Sequence, residues 1–177
     1  MTDAAAAVAD AIRSRRTHKA FGSDPVPEDV LLELFELARW APNHHLTNPW
    51  RFRVLGPETL VRLKEIAETV NPGSAGKLDR APTLIVASVH REGDAVQQDE
   101  DLLAGAVAAY LVLLGAHGRG LAGYWRTVPF LDSPAARQVL ALDPLERPIG
   151  LLHLGAPRQE QRVPERAPVS AFVRHTP

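Results

Sequence analysis

The chain has no cysteine and a single methionine among its 177 residues. Disulfides, thiolate nucleophiles, Cys-ligated zinc and iron–sulfur clusters are excluded together, so any redox chemistry has to be carried by a bound cofactor. Excess charge of one sign is lacking as well: 20 Lys and Arg against 21 Asp and Glu leave a net charge of −1. That falls short of the basic surplus a DNA or RNA surface needs, and no nucleic-acid partner is expected. No apolar run reaches the roughly 20 residues of a bilayer-spanning helix. The longest, Leu102 to Ala116, follows Asp99, Glu100 and Asp101 and reads as a buried helix, so no membrane association is expected. The N-terminal stretch carries Asp3 and Asp10 and lacks a basic start ahead of an apolar block. A secretory or mitochondrial presequence is therefore not expected, and the expected location is cytoplasmic.

What is present suits an ordinary folded domain. Hydrophobic residues make up 45% of the chain, enough for a proper core, and 15 prolines and 12 glycines are scattered between periodic segments instead of massed in a linker. One domain over residues 1–177 is predicted, without repeats or low-complexity tracts.

Periodicity places the elements. Helices are predicted over Ala4 to Ile12, Pro27 to Ala41, Pro57 to Val70, Asp99 to His117 and Ser133 to Leu142, and strands over Trp50 to Leu55, Thr83 to Val89, Leu121 to Thr127 and Ile149 to Leu154. The Asp99 to His117 helix is apolar nearly all round, with Gly105, Ala108, Ala109 and Ala116 allowing close approach of neighbours, which belongs in a core or a subunit interface. Gly118, Gly120 and Gly123 fit G-x-G-x-x-G. The dinucleotide fingerprint needs a strand before the glycines and a helix after them; here the order is reversed, so they read as a helix C-cap and a tight turn.

Three polar segments stand out. Arg13 to Phe21 reads R-S-R-R-T-H-K-A-F, and its Arg13, Arg15, Arg16 and Lys19 form either a solvated charge run or a phosphate clamp, for which arginine offers bidentate contact and Thr17 a hydroxyl. Pro42 to Phe52 reads P-N-H-H-L-T-N-P-W-R-F, a loop held between two prolines that presents His44, His45, Thr47 and Asn48 from stiff backbone. The two adjacent histidines lack further ligands at metal-site spacing, so no metal is expected, and Trp50 is expected to anchor the core. Tyr124 to Thr127 reads Y-W-R-T at the end of a strand.

In order and rough spacing these three segments resemble those of the flavin-dependent nitroreductase family. The resemblance runs from Ala11 to about Pro157. It implies an α+β fold with a mostly antiparallel central sheet flanked by helices, in a homodimer whose C-terminal tail crosses to the partner, Val169 to Val173 adding a strand there. It also implies FMN at the subunit interface. Arg15, Arg16 and Thr17 would grip its phosphate, Lys19 would reach the flavin pyrimidine, and His44 and Asn48 would contact it from the second subunit. Trp125, Arg126 and Thr127 would lie along the flavin and its ribityl chain. The implied activity takes a hydride from NADH or NADPH and passes it to a nitroaromatic, a quinone or a related small-molecule acceptor in ping-pong fashion. The alternatives are a flavin carrier, a specialised branch that fragments flavin or dehalogenates substrates, and a non-flavin domain whose basic loop binds an anionic partner.

Overall fold

The computed structural model describes residues 2–176. Among them are five α-helices, α1 (Asp3–Ser14), α2 (Glu28–Ala38), α3 (Pro57–Val70), α4 (Ala95–Gly118) and α5 (Pro134–Val139), and four strands, β1 (Trp50–Val54), β2 (Thr83–His90), β3 (Ala122–Arg126) and β4 (Glu146–Gly155). The strands form one sheet in the order β1-β2-β4-β3, with every neighbouring pair antiparallel. An α+β fold is thus observed as expected.

Alternation along the two central strands builds a core on each face. Leu84, Val86 and Leu151 turn to the side of Leu63, Ala67 and Ala136 from α3 and α5. Ile85, Ala87, Leu152 and Leu154 turn to Leu34 and Ala38 of α2 and to Ala108, Val112 and Ala116 of α4. Helix α4 is long and apolar enough to cross a bilayer by length and composition, but its inner face is taken up by the sheet and α2. A Cβ at Gly105 would stand 2.2 Å from Val89 Cγ2, and one at Gly115 would stand 2.6 Å from Leu37 Cδ1. The small residues of α4 therefore set its distance from both neighbours.

Boundaries shift where polar residues do structural work. Helix α4 starts at Ala95, four residues before the expected start, because the Asp94 side chain caps it by accepting from Gln97 N at 2.9 Å. At its other end Gly120 has φ 75, its N–H donates to His117 O (2.9 Å), and Leu121 N–H donates to Ala116 O (2.9 Å). This is the left-handed glycine cap expected of the decoy glycines. Helix α2 ends at Ala38, not Ala41, and Pro27 precedes it as the capping residue. The tail after Gly155 contains no strand among the described residues. Val169–Ala171 forms one 3₁₀ turn with Val169, Phe172 and Val173 exposed, so the expected strand at Val169 to Val173 is not formed within one chain.

Strand β4 begins at Glu146, three residues before the expected Ile149, because a charged residue is buried there. The Glu146 carboxylate receives Arg53 Nη2 at 2.8 Å and also accepts from Arg53 Nη1 and from the Ser88 hydroxyl. Burial pushes its pKa upward, but the hydrogen bonds from Arg53 and Ser88 and the Arg53 charge outweigh that and hold it below the usual carboxylate range. Its contribution to stability is present above the unfolded carboxylate value and is lost as pH falls through the lower folded value. Replacing Glu146 with Ala leaves Arg53 without its carboxylate, and denaturant unfolding should report a loss of about 3–5 kcal/mol; a loss under about 1 kcal/mol contradicts this role for the pair.

His153 is fully buried in β4, its ring stacked at 5.4 Å from Tyr124 and 6.4 Å from Phe21, with Nδ1 lacking a hydrogen-bond partner among the described residues. Burial, reinforced by the charges of Arg126 and Arg80, lowers its pKa against the opposing carbonyls of Lys77 and Leu151. The unfolded chain takes up a proton that the folded chain resists, so stability is full above about pH 6.5 and declines as pH falls from there towards the folded value. Changing His153 to Leu should shrink the drop in melting temperature between about pH 7.5 and pH 5.5; an undiminished drop in the variant would show that His153 is not responsible.

Candidate functional site

The R-S-R-R-T-H-K-A-F segment leaves α1 and crosses the outer edge of the sheet. Thr17 bridges Gly123 in parallel, His18 N–H donates to Gly123 O (3.1 Å), and Gly22 N–H donates to Ala156 O (2.8 Å). Backbone bonds at both ends thus fix the basic segment between the start of β3 and the end of β4. Arg15 lies over the Tyr110 ring of α4, its guanidinium carbon 5.7 Å from the centroid.

Arg13, Arg15 and Arg16 line an open cavity of about 470 Å³ with Tyr110, Val163 and Arg166. Arg15 donates to Arg16 O (3.2 Å) and Arg16 donates to Arg15 O (2.8 Å). Among the described residues none of these four arginines has a carboxylate within ion-pair distance. A cationic cluster without acidic partners around a cavity fits an anionic group such as a phosphate. Arg166 was missed in the sequence because it sits in a proline-broken tail with no periodicity, and the R-V-P-E-R stretch was its only signal. Lys19 is exposed and likewise without an ion pair among the described residues.

Behind this segment His18 and His117 share a second cavity, and Ser14 ties the two helices together. Ser14 Oγ donates to Asp10 O (2.6 Å) and lies 2.7 Å from His117 Nε2. With the single hydroxyl proton spent on Asp10, His117 must carry its proton on Nε2 and donate to Ser14. Burial lowers the pKa of both histidines. His117 and Arg15 add to the effect at His18, and Arg15 and Arg16 add to it at His117, where Asp10 opposes them.

The histidine loop sits elsewhere. His44 Nδ1 pairs with Glu100 Oε2 (2.8 Å) and Thr47 Oγ1 donates to Asp101 Oδ1 (2.6 Å), both on the first turns of α4. His45, Leu46 and Asn48 hold φ of 55, 52 and 46, a left-handed conformation that costs a bulky residue such as Leu46 about 1–2 kcal/mol. The shape is held by Asn48 N–H to Asn43 Oδ1 (3.0 Å), Asn48 Nδ2 to Leu46 O (2.7 Å) and stacked His44 and His45 rings 3.9 Å apart. Part of the donor capacity expected of Asn48 is thus already spent within the loop.

Within one chain these segments do not converge. From Glu100, Tyr110 lies ten residues and His117 seventeen residues along α4, or about 15 and 25 Å at helical rise. The third segment divides as well. Trp125 faces α2 and α4 and donates its indole N–H to Ile149 O (3.1 Å), packing so tightly over Gly150 that a Cβ there would lie 2.2 Å from Nε1. Arg126 falls on the opposite face, near enough to help suppress protonation of His153. Thr127 is exposed just beyond the end of β3.

The chain is similar to proteins of known sequence and structure. YfhC of Bacillus subtilis, provisionally named an NAD(P)H nitroreductase, is 27% identical over 173 residues, covering 90% of this chain and 89% of YfhC. A nitroreductase-like family protein from Bacillus cereus superposes with a TM-score of 0.86 at 24% identity over 96% of this chain and 95% of that one. The FMN-dependent nitroreductase NfnB from Mycobacterium smegmatis, solved in complex with NADPH, superposes with a TM-score of 0.81 at 19% identity over 99% and 100% of the two chains. The sequence pattern of the Nitroreductase family matches residues 12–75 and 68–156, spanning both the arginine segment and the histidine loop, and the chain belongs to that family of oxidoreductases.

Proposed function

We propose that this protein is an FMN-dependent oxidoreductase that takes a hydride from NADH or NADPH and passes it to a nitroaromatic, a quinone or a similar electron-poor acceptor, the two reactants using one pocket in turn. The observation that carries this reading is the cluster of Arg13, Arg15 and Arg16, which has no carboxylate partner among the described residues and lies within the family match. Arg15 and Arg16, with Arg13 and Arg166 beside them, would hold the phosphate, and the Thr17 hydroxyl would add a neutral donor. When bound, FMN would supply the hydride chemistry, which amino-acid side chains do not provide. Lys19 would stabilise the negative charge that develops on the flavin when a hydride arrives.

The reading also calls for a homodimer. His44, tied to Glu100, lies about 15 Å along α4 from the Tyr110 that Arg15 covers, and with Asn48 it would serve the partner's site. The outer face of α4 carries exposed Leu103 and Val107 between the two polar ends, and a two-fold contact through that stripe would oppose one helix's first turns to the other's last. The exposed Val169 to Val173 segment would then add a strand to the partner's sheet. Trp125 would act by packing, and Thr127 would offer a hydroxyl beyond the end of β3.

Purified protein supplemented with FMN and freed of excess should stay yellow and bleach anaerobically with NADH or NADPH; bound flavin that does not bleach would favour a carrier. Changing Arg15 and Arg166 together to Ala should weaken FMN binding by two or more powers of ten, from the loss of charge-assisted contacts of about 1.5–3 kcal/mol each. Equal FMN affinity in the variant and the parent would contradict the phosphate assignment.

A further inference from the structure

Trp40 is an unusual surface residue. It is 76% exposed, although indole is among the side chains with most to gain from burial. It is not loose: its Nε1–H donates to Glu36 Oε1 (3.3 Å), while Glu36 Oε2 accepts from Arg39 Nη1 (3.0 Å). One carboxylate on the last turns of α2 therefore holds both an indole and a guanidinium in place. The two side chains line an open cavity of about 630 Å³ with Leu46, Asn48 and Trp50. Its volume is that of a small-molecule site, which spans roughly 300–1,000 Å³, and it shares Asn48 and the strained loop with the site proposed above.

We propose that Trp40, with Arg39 beside it, is the specificity-determining platform for the electron acceptor, which it selects as a planar, electron-poor ring bearing oxygen substituents. The indole face is electron-rich, and nitro or carbonyl groups withdraw density from a ring, so offset stacking of the two is favourable. The Arg39 guanidinium lies where it can meet the negatively polarised oxygens of such a ring. Leu46, left-handed and 76% exposed, adds apolar surface to the same cavity. A pinned aromatic residue loses little rotamer freedom on binding, which favours a ligand platform over an idle surface residue. This inference rests on the oxidoreductase reading.

The test compares the FMN-loaded parent with Trp40→Leu and Trp40→Phe, using 4-nitrobenzoate and 1,4-benzoquinone as planar acceptors and ferricyanide as an acceptor that takes electrons without stacking. Trp40→Leu should raise KM for both planar acceptors about tenfold with kcat within about twofold. Trp40→Phe should recover most of that loss, and ferricyanide kinetics should move least in both. Unaltered KM for the planar acceptors in Trp40→Leu overturns the proposal. A variant that turns monomeric in sedimentation also overturns it, by making Trp40 a subunit anchor. If the parent takes up no FMN, the oxidoreductase reading has failed instead. The platform is then judged by tryptophan fluorescence: saturable quenching by 4-nitrobenzoate that Trp40→Leu abolishes supports it, and quenching that survives the substitution overturns it.

Discussion

The length of α4 is the constraint on which the rest of the molecule depends. Its small inner residues set it against the sheet and α2, and the arginine segment and the histidine loop are tied to different parts of its length. Ser14 and Arg15 are fastened to His117 and Tyr110 near its C-terminus, while His44 and Thr47 are fastened to Glu100 and Asp101 near its N-terminus. On the proposed reading, this rod of about 36 Å carries a different half-site at each end, and a second copy would supply the missing half.

The two half-sites differ in how they are held. The arginine segment is fixed by backbone bonds to β3 and β4, and among the described residues its arginines have no carboxylate within ion-pair distance. The histidine loop is fixed by side-chain bonds and holds three residues in left-handed geometry, an internal cost offset by its ties to α4. Strain of this kind persists only where surrounding contacts over-determine the backbone. Trp40 and Arg39, at the junction of α2 and that loop, share the same pinned character through Glu36.

Much of this was legible in the sequence because it rests on local chemistry. The continuous β-rich run of Thr83 to Val89, the apolar girdle of α4 and the reversed order around Gly118 to Gly123 each translate directly into an element. What was not legible depends on partners far apart in the chain. Strand β4 begins at Glu146 because Arg53 and Ser88, 93 and 58 residues away, satisfy a buried carboxylate, and no periodic pattern announces that. Asp94 starts α4 through one capping bond inside a run of polar residues. Arg166 joins the other arginines only because the tail folds back across Tyr110. The separation of Arg126 from Arg15, one on each face of the sheet, likewise follows from strand alternation combined with a register that sequence does not supply.

Subunit complementation tests the central claim most directly. One variant carries Arg15→Ala with Arg166→Ala, the other His44→Ala with Asn48→Ala, and each is measured for FMN binding alone and after unfolding and refolding together in equal amounts. If the two half-sites come from different subunits, random pairing makes half the dimers mixed, and each mixed dimer regains one intact site, so about a quarter of all sites recover parental affinity. If both half-sites serve a ligand within one subunit, co-refolding restores none, and the account of a shared interface site is wrong.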